Sequence, residues 1–90
     1  MEKPDLYVVA RFLDVMFKNG SGMKKTNIQM LLGVNYPRFL EYLEWLLQHD
    51  LVSSSLDDEG AERIKLTTKG IESYHRFVDW MNETFKGAKP

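Results

Sequence analysis

The sequence predicts a mainly α-helical domain with one small β-hairpin, an α+β class, and three features carry this prediction. Apolar residues recur at helical spacing in three long segments, glycine and asparagine interrupt that pattern near residue 34, and apolar and polar residues alternate between residues 51 and 67 around an acidic turn. A chain of 90 residues is long enough for one domain and too short to enclose a large cofactor. We therefore predict a single domain over residues 1–90.

The first helix is predicted over about residues 4–19. Pro4 is compatible with a first helical turn, Asp5 suits the positive end of a helix, and Asn19-Gly20 is typical of a C-terminal cap. The apolar positions between these ends recur every three or four residues, as expected for one buried helical face. They are Leu6, Val9, Ala10, Leu13, Met16 and Phe17.

Two further helices, separated by a tight turn, are predicted over about residues 26–49. The segment Thr26-Asn27-Ile28-Gln29 has the form of a capping box, which predicts that the second helix starts there and runs to about residue 32. Gly33 is able to end a helix in the left-handed conformation, Asn35 is a favoured N-cap, and Pro37 suits a first turn. The buried side of the third helix is predicted to carry Phe39, Leu40, Leu43, Leu46 and Leu47.

A β-hairpin over about residues 51–67 and a last helix over about residues 68–86 complete the prediction. In the hairpin, Val52 and Leu56 alternate with serines before an acidic turn at residues 57–60, and Ile64 and Leu66 are predicted to point inward. Thr67 or Thr68 is predicted to cap the last helix. Its apolar positions are Ile71, Tyr74, Val78, Met81 and Phe85.

This order of elements describes a helix-turn-helix followed by a wing. The segment TNIQMLLGVNYPRFLEYLEWLLQHDLV, the hairpin and the LTTKG after it resemble the winged helix-turn-helix domains, in particular small archaeal transcriptional regulators that carry a C-terminal dimerisation helix. The resemblance covers nearly the whole chain and implies double-stranded DNA as a partner. Winged helices also serve as protein-interaction modules, so a module of that kind without DNA binding is the alternative function.

A DNA-binding surface is predicted around the N-terminal end of the third helix. Arg38 is expected on a guanine edge or a phosphate, and basic residues before the second helix and on the wing are expected on flanking phosphates. The net charge is −1, and three acidic residues occupy the wing tip, so we expect modest and salt-sensitive affinity. The candidate DNA contacts are Lys24, Lys25, Asn35, Arg38, Tyr42, Arg63 and Lys65.

Some of these residues also fit a purely structural role. Tyr42 and Trp45 are large aromatic residues at the edge of the apolar face, where packing against the wing or the last helix is the more common role. The lysines before the second helix also fit a solvated loop.

The first and last helices carry apolar arcs that are wider than one packing face requires. On the first helix, Val8 and Val15 face almost opposite to Leu6 and Leu13, and on the last helix Trp80 points away from Val78. Exposed apolar residues on two helices outside the helix-turn-helix predict a homodimer, although some of them also fit the core of one chain. The predicted interface residues are Val8, Phe12, Val15, Phe77, Trp80 and Met81.

Catalytic and metal-binding motifs are not found in the sequence, and we predict no enzyme activity, no cofactor, no metal and no small-molecule effector. The chain has no cysteine, His49 and His75 are isolated, and the segment GSGMKKT lacks the spacing of a phosphate loop. The N-terminus lacks the features of a signal peptide, and no apolar run is long enough to cross a bilayer. A cytoplasmic location without membrane association is therefore expected.

Overall fold

The computed structural model describes residues 3–20 and 22–86, which form four α-helices, a two-stranded antiparallel sheet and one π-helical turn. The elements follow the order α1 (Leu6–Lys18), α2 (Lys25–Leu32), α3 (Tyr36–Gln48), β1 (Val52–Leu56), β2 (Glu62–Leu66) and α4 (Thr68–Met81), and α4 continues as the π-helical turn Asn82–Lys86. The predicted fold class and order of elements are confirmed. The molecule is elongated, with extents of 53 × 26 × 22 Å.

One apolar core joins α1, α2, α3 and the hairpin. At its centre the rings of Phe12 and Phe39 stack with their centroids 5.7 Å apart. Phe12 has 0% of its surface exposed, so its prediction as an interface residue is wrong, because a ring inside the core presents no surface to a second chain. Burial of a side chain of this size stabilises the fold by roughly 1.5–3 kcal/mol. The largest fully buried side chains among the described residues are Phe12, Met16, Ile28, Phe39, Leu46, Val52 and Ile64.

The predicted capping box at the start of α2 is wrong, because the N-cap lies two residues before Thr26. Lys24 is the N-cap, with an extended backbone and no side-chain hydrogen bond, and Thr26 already lies inside the first turn. Gln29 does not reach back to the helix start, since its Nε2 donates to the carbonyl of Val34, 3.3 Å away. At the other end, Gly33 caps α2 in the left-handed conformation as predicted.

The hairpin pairs β1 with β2 in a register that matches Val52 with Leu66 and Leu56 with Glu62. Met23 adds a third partner through two backbone hydrogen bonds of 2.8 Å with Ile64, which fixes the chain before α2 to the sheet. Ile64 is fully buried, whereas Leu56 is 72% exposed. Leu56 is therefore exposed although it alternates with serine in the sequence, because the half of the hairpin next to the turn extends beyond the core.

The segment LTTKG makes a compact corner between β2 and α4. Thr67 caps α4 by accepting from the amide of Gly70, and its hydroxyl donates to the carbonyl of Asp50, 2.6 Å away. Lys69 Nζ donates to the carbonyl of His49 at 2.9 Å. Gly70 lies against the backbone of Leu51, where a Cβ atom would come within 2.0 Å of the Leu51 carbonyl oxygen. The corner therefore holds the start of α4 against the end of α3.

Candidate nucleic-acid interface

Helix α3 is capped by hydrogen bonds at both ends. At the start, the Asn35 side chain accepts from the amide of Arg38 at 2.9 Å, and Pro37 occupies the first turn as predicted. At the end, Asp50 adopts a φ of 59°, and the amides of Asp50 and Leu51 donate to the carbonyls of Leu47 and Leu46. This is the Schellman arrangement, with an aspartate where glycine is usual.

Arg38 lies on the exposed side of α3, in its first turn, and its position is supported by Tyr42. The guanidinium carbon of Arg38 lies 5.4 Å from the centre of the Tyr42 ring, within the range of a cation–π contact. Tyr42 itself is 4% exposed, and its hydroxyl accepts from the amide of Asp5 at 2.9 Å. Because the ring is buried and its oxygen is occupied, Tyr42 supports Arg38 and is not available as the predicted direct DNA contact.

The two lysines at the start of α2 have different surroundings. Lys24 is exposed at the N-cap. Lys25 forms an ion pair with Glu62 of β2, with Nζ and Oε1 2.7 Å apart. The hydrogen bond to Glu62 raises the pKa of Lys25, and the same bond lowers the pKa of Glu62. Lys25 therefore presents less free positive charge than the sequence suggests.

The hairpin presents two basic side chains, one paired and one exposed. Arg63 Nε donates to Asp57 Oδ2 at 2.9 Å, while Asp57 Oδ1 accepts from the amides of Glu59 and Ala61. These bonds lower the pKa of Asp57, with the amide of Ala61 as the largest contribution. Lys65 is exposed two residues farther along the strand. Asp57 of the acidic turn thus accepts hydrogen bonds from the turn's own backbone and from Arg63. Arg63, a predicted DNA contact, is therefore already paired within the wing.

An apolar groove lies between α1 and the C-terminal part of α4. Its volume is about 620 Å³, and its walls include Leu6, Tyr7, Phe77, Trp80 and Phe85. Leu6 is 72% exposed and Trp80 is 55% exposed, which is unusual for residues of this size on one surface. Val8 and Val15 are half-buried against the core and cover it, which is the alternative that the sequence left open for them.

Solved structures with the same arrangement of helices and hairpin allow the fold to be assigned. F93 from STIV, a winged-helix DNA-binding protein, superposes with a TM-score of 0.80 at 15% identity and covers 92% of this chain and 96% of its own. The chain has the winged helix-turn-helix fold. In this fold β1 and β2 form the wing, and α2 and α3 are the two helices of the helix-turn-helix.

Other winged-helix structures are longer than this chain. A MepR mutant from a multidrug-resistant S. aureus clinical isolate has a TM-score of 0.81 at 21% identity and covers 89% of this chain and 60% of its own. Another S. aureus MepR mutant, bound to an oligodeoxyribonucleotide, has a TM-score of 0.73 at 21% identity, covering 92% of this chain and 64% of its own. The chain thus spans about 60% of MepR. No family model and no curated protein sequence matches it.

The outer surface of α3 also carries exposed residues that are not among the candidate DNA contacts. Beyond Arg38, the exposed stripe consists of Glu41, Glu44 and Gln48, at spacings of three and four residues. Trp45 lies beside this stripe, and its ring stacks on His49 with centroids 4.0 Å apart. The same helical spacing that selected Arg38 also identifies this stripe in the sequence. The exposed side of α3 is therefore basic at its start and acidic farther along.

Two negative findings apply to the part of the chain that the structure describes. Among residues 3–20 and 22–86, no three histidine or acidic side chains gather where they could hold a metal ion. Within the same ranges, no helix combines the length and apolar character needed to cross a bilayer.

Proposed function

We propose that this protein is a transcriptional regulator that binds duplex DNA through α3 and acts as a homodimer. The observation that carries the proposal is Arg38, an exposed cation held over the Tyr42 ring at the start of a helix in the recognition position. The DNA-bound MepR mutant supports the choice of duplex DNA as the partner. The role requires neither a cofactor nor catalysis, and a regulator of this kind is expected in the cytoplasm.

Three cations are proposed as the main contacts. Arg38 would read a base edge or hold a phosphate in the major groove, and the exposed Lys24 and Lys65 would hold phosphates on either side. Asn35 contributes through its amide group, because its side-chain oxygen is already occupied as the cap of α3. With few free cations and a net charge of −1, affinity depends strongly on salt and on two copies acting together.

A titration of mixed-sequence duplex DNA at low and moderate salt tests DNA binding. The parent protein is expected to bind at low salt and to weaken as salt rises, and Arg38→Ala is expected to lose roughly tenfold or more in affinity, the effect of one good base or phosphate contact. Arg76→Ala is the matched control, because Arg76 is an exposed arginine on α4, outside the helix-turn-helix and the wing. Equal losses in the two variants, or no binding by the parent at low salt, contradict the proposal.

The alternative is a protein-interaction module, and the second half of α3 favours it. Glu41 and Glu44 repel phosphate, and Leu40 and Leu47 on the adjacent flank are 37% and 38% exposed. A surface of this kind suits a basic or amphipathic protein partner better than a polyanion. Absence of duplex binding at low salt supports this alternative over DNA binding.

The homodimer is proposed to form at the groove between α1 and α4. Trp80 and Met81 at the end of α4 and Phe85 in the π-helical turn that follows lie beside Leu6, and a second copy placed with two-fold symmetry would cover all of them at once. The predicted interface is therefore revised: Phe77, Trp80 and Met81 remain, and Leu6, Tyr7 and Phe85 replace the valines and Phe12. Two copies would also present two recognition helices to one DNA site.

Sedimentation of a Trp80→Glu variant tests the dimer. A buried charge in an apolar interface is costly, so the variant is expected to be monomeric where the parent is dimeric. Arg76→Glu is the matched control, because it places a glutamate on the exposed side of the same helix and outside the groove. A parent that is already monomeric at concentrations of tens of micromolar, roughly where a weak dimer is seen, contradicts the homodimer.

A further inference from the structure

We infer that Glu62 of the wing competes with DNA phosphate for Lys25 and thereby sets the affinity of the protein for duplex DNA. The inference rests on the proposed DNA-binding function and concerns the regulation of that same surface. It begins from the ion pair between Lys25 Nζ and Glu62 Oε1, 2.7 Å apart, which joins the start of α2 to the first residue of β2.

Glu62 is held in place for this contact. Its second carboxylate oxygen accepts a hydrogen bond from the hydroxyl of Ser54 on the neighbouring strand. Lys25 occupies the first turn of α2, beside the exposed Lys24 and next to the positive end of the helix. This end of α2 contains no acidic residue, so Glu62 supplies from another element the negative charge that a phosphate would otherwise supply.

The ion pair is not needed to attach the wing to α2. Met23 and Ile64 already join the same two segments through two backbone hydrogen bonds of 2.8 Å. The side chains of Lys25 and Glu62 retain 31% and 40% of their exposure, and an ion pair with that much solvent contact stabilises a fold only slightly. Its effect on the charge offered to DNA is therefore larger than its effect on folding.

A duplex phosphate is able to displace Glu62 because the contact is accessible and weak. When Lys25 moves to a phosphate, the carboxylate is left without its partner close to a polyanion, which opposes binding. The parent protein thus binds duplex DNA less tightly than its number of lysines and arginines implies. Asp57 holds Arg63 in a similar pair, so the wing contains a carboxylate for each of these two cations.

The test compares Glu62→Gln with Glu59→Gln in titrations of a fluorescent mixed-sequence duplex of roughly 20 base pairs, about two helical turns. Both variants remove one negative charge from the hairpin region, but the Glu59 side chain makes no ion pair or hydrogen bond among residues 3–20 and 22–86. Glu62→Gln is expected to bind roughly two- to fivefold more tightly than Glu59→Gln at low salt. Its affinity is also expected to fall more steeply as salt rises.

Lys25→Ala, introduced into the parent and into the Glu62→Gln protein, shows whether Glu62 acts by competing for Lys25 or only by its negative charge. The substitution is expected to weaken binding by at least about twofold more in the Glu62→Gln protein than in the parent, because in that protein Lys25 contacts phosphate without losing an ion pair. Equal losses in the two backgrounds, or equal affinities of the Glu62→Gln and Glu59→Gln variants, overturn the inference while leaving DNA binding intact. If neither the parent nor Glu62→Gln binds duplex DNA, the proposed function fails and this inference fails with it.

Discussion

Tyr74 connects α4 to α1 through a single polar contact. Its hydroxyl donates to Asp14 Oδ1 at 2.6 Å, and its ring stacks on Phe17 with centroids 4.6 Å apart. The hydrogen bond to Asp14, together with burial, raises the pKa of Tyr74 from 10.0 to about 12, because both disfavour the phenolate. The folded protein therefore holds the tyrosine in its neutral form beyond the pH at which an unfolded chain releases the proton.

Tyr74→Phe is expected to lower the free energy of unfolding at pH 7 by about 1–2 kcal/mol, since it removes a bond to a charged group. A raised pKa contributes stability fully below the unfolded value, so the difference between parent and variant is expected to shrink as pH rises from 10.0 towards 12. Chemical denaturation at several pH values measures this difference.

Tyr36→Phe is the matched control, because Tyr36 is 45% exposed and its change is expected to stay within about 0.5 kcal/mol. A difference between parent and Tyr74→Phe that is constant from neutral pH to pH 12 contradicts the assigned role of the hydroxyl.

At the scale of elements, the corner formed by LTTKG explains why these residue types occur between the wing and the last helix. Thr67 caps α4, Lys69 bonds the carbonyl of His49 at the C-cap of α3, and Gly70 permits the backbones of α4 and Leu51 to touch. Each residue therefore has a physical reason to occupy its position, and the angle at which α4 leaves the sheet depends on the glycine.

Gly70→Ala is expected to lower the free energy of unfolding by about 3 kcal/mol, near the upper end for an overpacked site, because the new methyl group meets backbone that cannot rotate away. Gly33→Ala is the comparison: its φ of 71° adds strain of about 1 kcal/mol, but a methyl group there meets open space. Thermal or urea unfolding ranks the two variants. A Gly70→Ala protein as stable as Gly33→Ala would show that the corner does not require close contact.

The turn between α2 and α3 could be predicted from sequence because its chemistry is local. Gly33 adopts the left-handed conformation, Asn35 bonds an amide three residues away, and Pro37 fixes a backbone angle of the first turn. None of these effects depends on distant residues. The order of helices and hairpin follows from such signals together with the spacing of apolar residues.

The incorrect predictions share a dependence on contacts far apart in the chain. The capping box failed because Met23 pairs with Ile64, which holds the backbone extended up to Lys24 and starts α2 early. Tyr42 is a candidate DNA contact by its spacing, but the amide of Asp5, 37 positions away, donates to its hydroxyl, and the structural role that the sequence left open is the one observed. The pairing of Lys25 with Glu62 likewise joins residues on different elements. Residue type and spacing identified the basic residues, but not which of them remain free.

At the scale of the whole molecule, the low net charge is the physical reason to expect that two copies bind DNA together. The chain carries a net charge of −1, and two of its candidate cations are paired internally. One copy therefore offers DNA only a small number of free contacts. A dimer brings a second set at high effective concentration, which strengthens binding without any new contact.

Trp80→Glu is accordingly expected to weaken binding to a duplex with two half-sites by roughly tenfold to a hundredfold and to leave binding to a single half-site unchanged. The duplexes are taken from sequences selected by the parent protein, and Arg76→Glu again serves as the control. An equal loss on both duplexes would mean that Trp80 acts on the fold or on DNA directly and not through pairing of two copies.

Arg11 belongs to two surfaces at once. Its guanidinium donates to the carbonyls of Leu31 and Leu32 at 3.3 and 3.0 Å, and the same side chain forms part of the groove wall. The last turn of α2 is thus anchored by a residue that a partner in the groove would touch. A design that grafts the dimerisation surface of another protein onto this groove must therefore retain Arg11. Without it, the last turn of α2, which leads into α3, would lose two hydrogen bonds.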